Sequence, residues 1–201
     1  LREWMDLADG NISIVTLAPE LPGAPEFIAE ASSAGVTVAL GHHLGSHDDI
    51  RRAVDAGATY STHLGNGIAN TLPRHPNPIW SQLACDELTA GFISDGHHLP
   101  REFIRVALRS KGLDRFIVTS DAAPLAGLEP GRYKFGGQDV RLDENGKISM
   151  VYKDALAGSA STMRDCVKQL AEWEDLNREQ LMRVARENPL RLLGIDESQS
   201  L

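Results

Sequence analysis

The sequence is short of the features that mark several large classes of protein. Its 201 residues hold only two cysteines, Cys85 and Cys166, far apart and without metal-type spacing. That excludes a disulfide framework, and both are read as buried free thiols of a reducing cytoplasm. No run of Lys or Arg occurs, and the formal net charge is −8. A nucleic-acid binder carries a basic face, so nucleic acid is excluded as a partner. Apolar runs are of strand length, too short to span a bilayer, and none reads as a signal peptide. There is no low-complexity tract and no repeat beyond a βα unit. What is present suits a globular domain with a sizeable core: 42% hydrophobic and 24% charged residues.

Strands are expected near residues 12–17, 36–40, 59–62, 89–94 and 116–120. Helical patterns lie between them: Pro25–Ser33, closed by Gly35; Asp48–Ala56, capped by Ser46 and stopped by Gly57; Ile79–Ala84; and Pro100–Lys111, with proline at its start. Leu1–Ala8 reads as the end of a helix. Val36–Leu40 is apolar but for Thr37, as in a strand covered on both faces. Strands alternating with helices indicate a parallel sheet.

Alternation stops after Ser120. Gly131–Lys153 holds β-like runs about a turn at Asp143-Glu144-Asn145-Gly146 and reads as an inserted hairpin. Helices are expected at Ser159–Glu174, with Ser159 or Ser161 near the cap, at Asn177–Ala185 and at Pro189–Leu193. Trp80 and Trp173 fall in helical patterns and are expected to pack inside. Five strands cannot close an eight-stranded barrel, so either the sheet is open or three strands lie upstream of Leu1. The helical start at Leu1 and the polar tail Asp196–Leu201 suggest a portion of a longer enzyme.

The strand ends carry the chemistry. Successive strands are followed by Glu20, His42, His63, Asp95-Gly96-His97-His98 and Asp121. A lone histidine there is more often a hydrogen-bonded structural residue; the recurrence is what argues for a site. In α/β proteins the C-terminal ends of parallel strands gather metals and substrates. Glu, His and His supply oxygen and nitrogen donors suited to Zn²⁺, Fe²⁺ or Mn²⁺, and three ligands leave a position open for water. Asp121 then stands as the proton shuttle on that water. Asp95 is also suited to an Asx turn over its own loop, and His47 and His75 read as solvated loop residues.

In order and spacing, Thr16-Leu17-Ala18-Pro19-Glu20, Gly41-His42, Thr62-His63-Leu64 with Asn66, Ser94-Asp95-Gly96 with His98, and Thr119-Ser120-Asp121-Ala122 resemble the N-acetylglucosamine-6-phosphate deacetylases of the amidohydrolase superfamily. Leu156-Ala157-Gly158-Ser159 and Asn188-Pro189-Leu190 belong to the same likeness, which covers about residues 12–195. The resemblance implies that residues 1–201 are the C-terminal portion of a metal-dependent (β/α)₈ TIM barrel, α/β in class, lacking upstream strands and a small β domain.

It further implies a divalent metal ion, zinc first and iron or manganese next, on Glu20, His42 and His63. Asp121 is then general base and general acid. His98 holds the sugar or the bound amide. Asn66, Gly67 and Arg74 fall near the phosphate, and Leu156 near the acyl side. The implied substrate is an N-acetylated amino sugar, with or without a 6-phosphate; the implied assembly is a homodimer, and the compartment the cytoplasm. An amidohydrolase for another N-acyl or cyclic amide, and a catalytically inactive barrel acting as a binding module, remain as alternatives. The run His63-Leu64-Gly65-Asn66-Gly67-Ile68 and the loop Leu72–Pro78 depart from the family pattern, as does His43 after Gly41-His42.

Overall fold

The computed structural model describes residues 1–153 and 155–196. Helix α1 (Arg2–Leu7) leads into strand β1 (Ile14–Leu17), followed by α2 (Ala24–Ser33), β2 (Thr37–Leu40), α3 (His47–Asp55) and β3 (Ala58–Ser61). Then come α4 (Pro78–Leu83), β4 (Thr89–Ile93), α5 (Arg101–Lys111) and β5 (Phe116–Thr119). These five strands lie parallel in the order β1-β2-β3-β4-β5. All five expected strands form, and the α/β class holds. The end of the polar tail, residues 197–201, lies outside the described residues.

The helix starts follow from local chemistry. The Asp49 amide donates to Ser46 Oγ at 3.2 Å while the Ser46 amide donates to Asp49 Oδ2 at 2.8 Å, a reciprocal cap for α3. Asn77 Oδ1 accepts from the Ile79 amide at the start of α4. Trp80 on that helix is 49% exposed, against the expected packing role, because Ile79 and Leu83 take the inward side. Trp173 does pack against the core. His47 opens α3 rather than lying in a loop, and it is exposed as expected.

Side chains alternate between the two sheet faces with a period of two. Val38, Leu40 and Ala58 pack beneath α2 and α3, while Ala90, Phe92, Phe116 and Val118 form a second cluster with α5 and later helices. Phe92 and Phe116 stack at 4.4 Å between centroids. The opposite face is sparser: Ala39, Tyr60 and Ile117, with Leu192 against them. Gly91 lies beside Tyr60, where an added Cβ would fall 2.0 Å from the phenol oxygen. Gly91→Ala is therefore expected to lower stability by about 1–3 kcal/mol through overpacking, read as a shift of the urea midpoint. An unchanged midpoint would mean that Tyr60 swings aside at no cost.

Beyond β5 the chain builds more than the expected hairpin. Strands β6 (Gly131–Phe135), β7 (Gln138–Leu142), β8 (Lys147–Met150) and β9 (Leu156–Ser159) form a four-stranded antiparallel sheet in that order. Two tight turns, Gly136-Gly137 and Asp143–Gly146, divide the β-like runs into three strands, and β9 adds a fourth. Ser159 thus ends a strand instead of capping a helix. Helix α6 (Met163–Glu174) starts four residues later, where Thr162 and Asp165 form a reciprocal cap. Helix α7 (Arg178–Met182), capped by Asn177 as expected, runs through a π-helical turn at Arg183–Glu187 into α8 (Asn188–Leu192). The two expected C-terminal helices are therefore one continuous run.

Candidate active site

Three of the sequence-predicted residues share an unusual backbone. His42, His63 and Asp121, each just past a strand, have φ of 53°, 30° and 48°. Left-handed conformations are uncommon outside glycine and cost about 1–3 kcal/mol each when held in place. Such strain concentrates where a side chain must leave a strand at a set angle. Here the His42 and His63 side chains meet, and the Asp121 charge acts on His63. His42 Nε2 and His63 Nε2 meet at 2.9 Å, one donating to the other, with ring planes at 77°. Burial holds the His63 imidazole below its usual pKa, opposed by the Asp121 charge and reinforced by His42 and His98. The neutral imidazole is the form that binds metals.

The packing around the pair explains neighbouring small residues. An added Cβ on Gly41 would come 2.8 Å from Thr16 Cγ2 and 3.1 Å from Thr62 Cβ, whose hydroxyls bond at 3.1 Å. An added Cβ on Gly67, at φ 60°, would come 2.7 Å from His42 Nδ1. The Gly67 backbone thus lies against the His42 ring.

Glu20 stands apart from the imidazole pair. Its Oε1 accepts from the Leu44 amide at 2.8 Å, and its Oε2 is 4.0 Å from His43 Nδ1. His43 is buried, and its Nδ1 accepts from the Gly45 amide at 3.2 Å. Burial lowers its pKa, with Gln82, Glu20 and Asp49 opposing. His43 is therefore an internal support for the β2–α3 loop that carries His42, against which Glu20 of the β1–α2 loop rests.

His98 is the inward member of the pair His97-His98. Its Nδ1 is 2.7 Å from Asp95 Oδ2, and its side chain is 7% exposed. His97 turns away, with Nε2 2.9 Å from the Asn145 carbonyl on the β7–β8 turn. The Asx turn forms as expected: Asp95 Oδ1 accepts from the His97 and His98 amides at 2.8 and 3.0 Å. Burial pushes the Asp95 carboxyl up, but these bonds and His98 outweigh it and hold the pKa at about 2.

The native value lies below the unfolded value of 3.8. The carboxylate therefore stabilises the fold above about pH 4 and loses that contribution as pH falls through 2. Asp95→Asn is expected to be less stable than the parent by about 2 kcal/mol at pH 6. The difference should close toward pH 2 in urea titrations; a gap independent of pH would assign the loss to packing.

The proposed substrate contacts are spread more widely. Asn66 folds back, its Nδ2 donating to the His63 carbonyl at 3.3 Å. Arg74 lies on an exposed loop, and its guanidinium makes no hydrogen bond or ion pair among the described residues. Leu156 is half-buried in β9, paired with Ser149.

This geometry has close relatives. The chain is 30% identical over 195 residues to the N-acetylglucosamine-6-phosphate deacetylase of Lysinibacillus sphaericus, covering 97% of this chain and 50% of that protein. It is 36% identical over 198 residues to that of Homo sapiens, covering 94% of this chain and 47% of that one. A solved N-acetyl-D-glucosamine-6-phosphate deacetylase variant from Mycobacterium smegmatis, in complex with N-acetyl-D-glucosamine-6-phosphate, matches with a TM-score of 0.88 at 31% identity, over 96% of this chain and 52% of that chain. Over nearly its whole length the chain is similar to N-acetylglucosamine-6-phosphate deacetylases. It spans about half the length of the curated relatives it matches. No family model matches it.

The imidazole pair fits the divalent ion that the deacetylase family implies. Two Nε2 atoms converge, and burial keeps His63 neutral and able to ligate. Among the described residues no three His, Cys, Asp or Glu side chains stand close enough to hold an ion together. Glu20, held by the Leu44 amide, is the one set apart. Two contributors escaped the sequence reading as parts of the site: Ser159, whose Oγ donates to Asp95 Oδ2 at 3.1 Å, and Gln82, beside His43. No local pattern marks either; both depend on contacts between distant segments.

Proposed function

We propose that the protein is a metal-dependent amidohydrolase that removes the N-acetyl group from an amino sugar, with N-acetylglucosamine-6-phosphate as substrate and glucosamine-6-phosphate and acetate as products. The observation that carries this reading is the shared left-handed backbone of His42, His63 and Asp121, with the two imidazoles in contact. Sequential order of the five parallel strands supports the C-terminal portion of a (β/α)₈ barrel, residues 1–201 being part of that domain. On this reading the enzyme is cytoplasmic and a homodimer, as the resemblance implies. No described helix is long and apolar enough to cross a membrane.

Glu20, His42 and His63 would hold the ion, zinc before iron or manganese. When bound, a divalent ion supplies Lewis acidity, polarising an amide carbonyl and making water nucleophilic near neutral pH. Asp121, exposed at its strand end, accepts a proton as water adds to the acyl carbon. The C–N bond then breaks, and Asp121 returns that proton to the departing amine. His98 offers Nε2 to the sugar or the amide. Asn66, Gly67 and Arg74 face the 6-phosphate end, and the Leu156 backbone the acyl group.

A second reading, an amidohydrolase of another N-acyl substrate, draws on Arg74, whose guanidinium is exposed and makes no hydrogen bond or ion pair among the described residues. The deciding experiment uses full-length protein loaded with Zn²⁺, Fe²⁺ or Mn²⁺, with acetate release measured on N-acetylglucosamine with and without the 6-phosphate. Preference for the phosphorylated sugar is expected. Equal rates would remove the phosphate from the reading, and no release from either sugar would remove the sugar.

A further inference from the structure

Ser159 joins three strand ends. It is 1% exposed at the end of β9. Its amide donates to the Asp121 carbonyl at 3.3 Å, and its carbonyl accepts from the Ala123 amide at 2.7 Å. The backbone on both sides of Ala122, directly after the strained Asp121, is thus gripped from β9. Its hydroxyl donates to Asp95 Oδ2 at 3.1 Å and accepts from the Ser161 amide at 3.0 Å.

Asp95 has four donors around it: the His97 and His98 amides on Oδ1, and His98 Nδ1 and Ser159 Oγ on Oδ2. Only an ionised carboxylate accepts from all four. With Nδ1–H committed to Asp95, His98 has Nε2 left for the site. A carboxylate on the far nitrogen is the standard way to fix an imidazole's tautomer and direction.

We propose that Asp95, braced by Ser159 from the β6–β9 sheet, is a positioning residue that sets the tautomer and aim of His98, making the antiparallel sheet part of the active site. This rests on reading His98 as the substrate contact.

Asp95→Asn gives the sharpest test. Its amide oxygen stays with the two backbone amides, which cannot face an NH₂ group. The NH₂ then meets His98 Nδ1, which must become an acceptor, and the ring proton moves to Nε2. ¹⁵N-resolved imidazole spectra of the full-length protein are expected to show Nδ1–H for His98 in the parent and Nε2–H in the variant. The kcat/KM for N-acetylglucosamine-6-phosphate should fall about 10- to 100-fold.

Ser159→Ala keeps the carboxylate and the backbone grip on Asp121. It should retain Nδ1–H and lose about 3- to 10-fold in kcat/KM. On a His98→Ala background both losses should vanish to within about twofold, as for residues acting through one group. Losses that multiply with His98→Ala, or an unmoved tautomer in Asp95→Asn, would overturn the proposal. Should Asp95→Asn not fold, Ser159→Ala on the two backgrounds decides alone. If the parent releases no acetate from any sugar, the functional reading fails, and the spectra still decide the role of Asp95.

Discussion

Asp121→Asn is expected to keep the fold and the metal content and to lower turnover by about 10²- to 10⁴-fold, the range for loss of a general acid–base group. Asparagine is the right probe for a physical reason. Asp121 sits at φ 48°, a conformation that Asn and Asp tolerate far better than other non-glycine residues. The Asn side chain is also isosteric, so the bond from the Ser159 amide to the Asp121 carbonyl survives. What goes is the one property the mechanism needs, a carboxylate that takes and returns a proton. The charge that opposes the lowered pKa of His63 goes as well, leaving that imidazole more firmly neutral and still able to ligate. Acetate release and metal stoichiometry measured on the same preparations separate the two roles. Turnover within threefold of the parent would show that another group moves the proton, and loss of the ion would make Asp121 a ligand.

Lys111→Met is expected to destabilise the protein by about 3–5 kcal/mol, a large share of the roughly 5–15 kcal/mol typical of a domain. Lys111 closes α5 with 1% exposure, and its ammonium donates to the carbonyls of Gln82, Cys85 and Leu88 at 2.6, 2.6 and 2.9 Å. An ammonium has three donors and no acceptor, which matches three carbonyls at the end of α4 and in the turn that leads to β4. Burial draws its pKa down to about 8, so it remains charged at neutral pH. Methionine fills a similar volume, so the loss is chiefly that of donors to buried carbonyls rather than of packing. The segment runs into the N-terminal end of β4, where barrel-like sheets concentrate stability rather than chemistry. Equilibrium urea unfolding with an unchanged slope is the measurement. A loss under about 1 kcal/mol would mean that water replaces the ammonium.

The parallel strands were legible because each is a short β-branched or apolar run closed by helix-stop and turn residues. The caps at Ser46 and Asn177 were legible for a similar reason: they act within three residues of themselves. Past Ser120 the reading failed in places where pairing partners are distant. The run Leu156–Ser159 carries no strand pattern of its own; it is extended because β8 and the Asp121 backbone bond to it. Trp80 fell in a helical pattern but on the side of α4 that faces outward, a choice that neighbouring elements make.

The sequence by itself determined the α/β class with its parallel sheet, and which residues stand at strand ends: Glu20, His42, His63, the run Asp95-Gly96-His97-His98, and Asp121. Those follow from periodicity and from donor chemistry, both local properties. Tertiary structure alone decided how the ends meet. It brought His42 to His63, turned Glu20 toward the loop of His43, chose His98 over His97, and placed Ser159 between Asp95 and Asp121. The physical reason is that strand-end direction is set by backbone torsion and by hydrogen bonds across tens of residues, which residue spacing does not record.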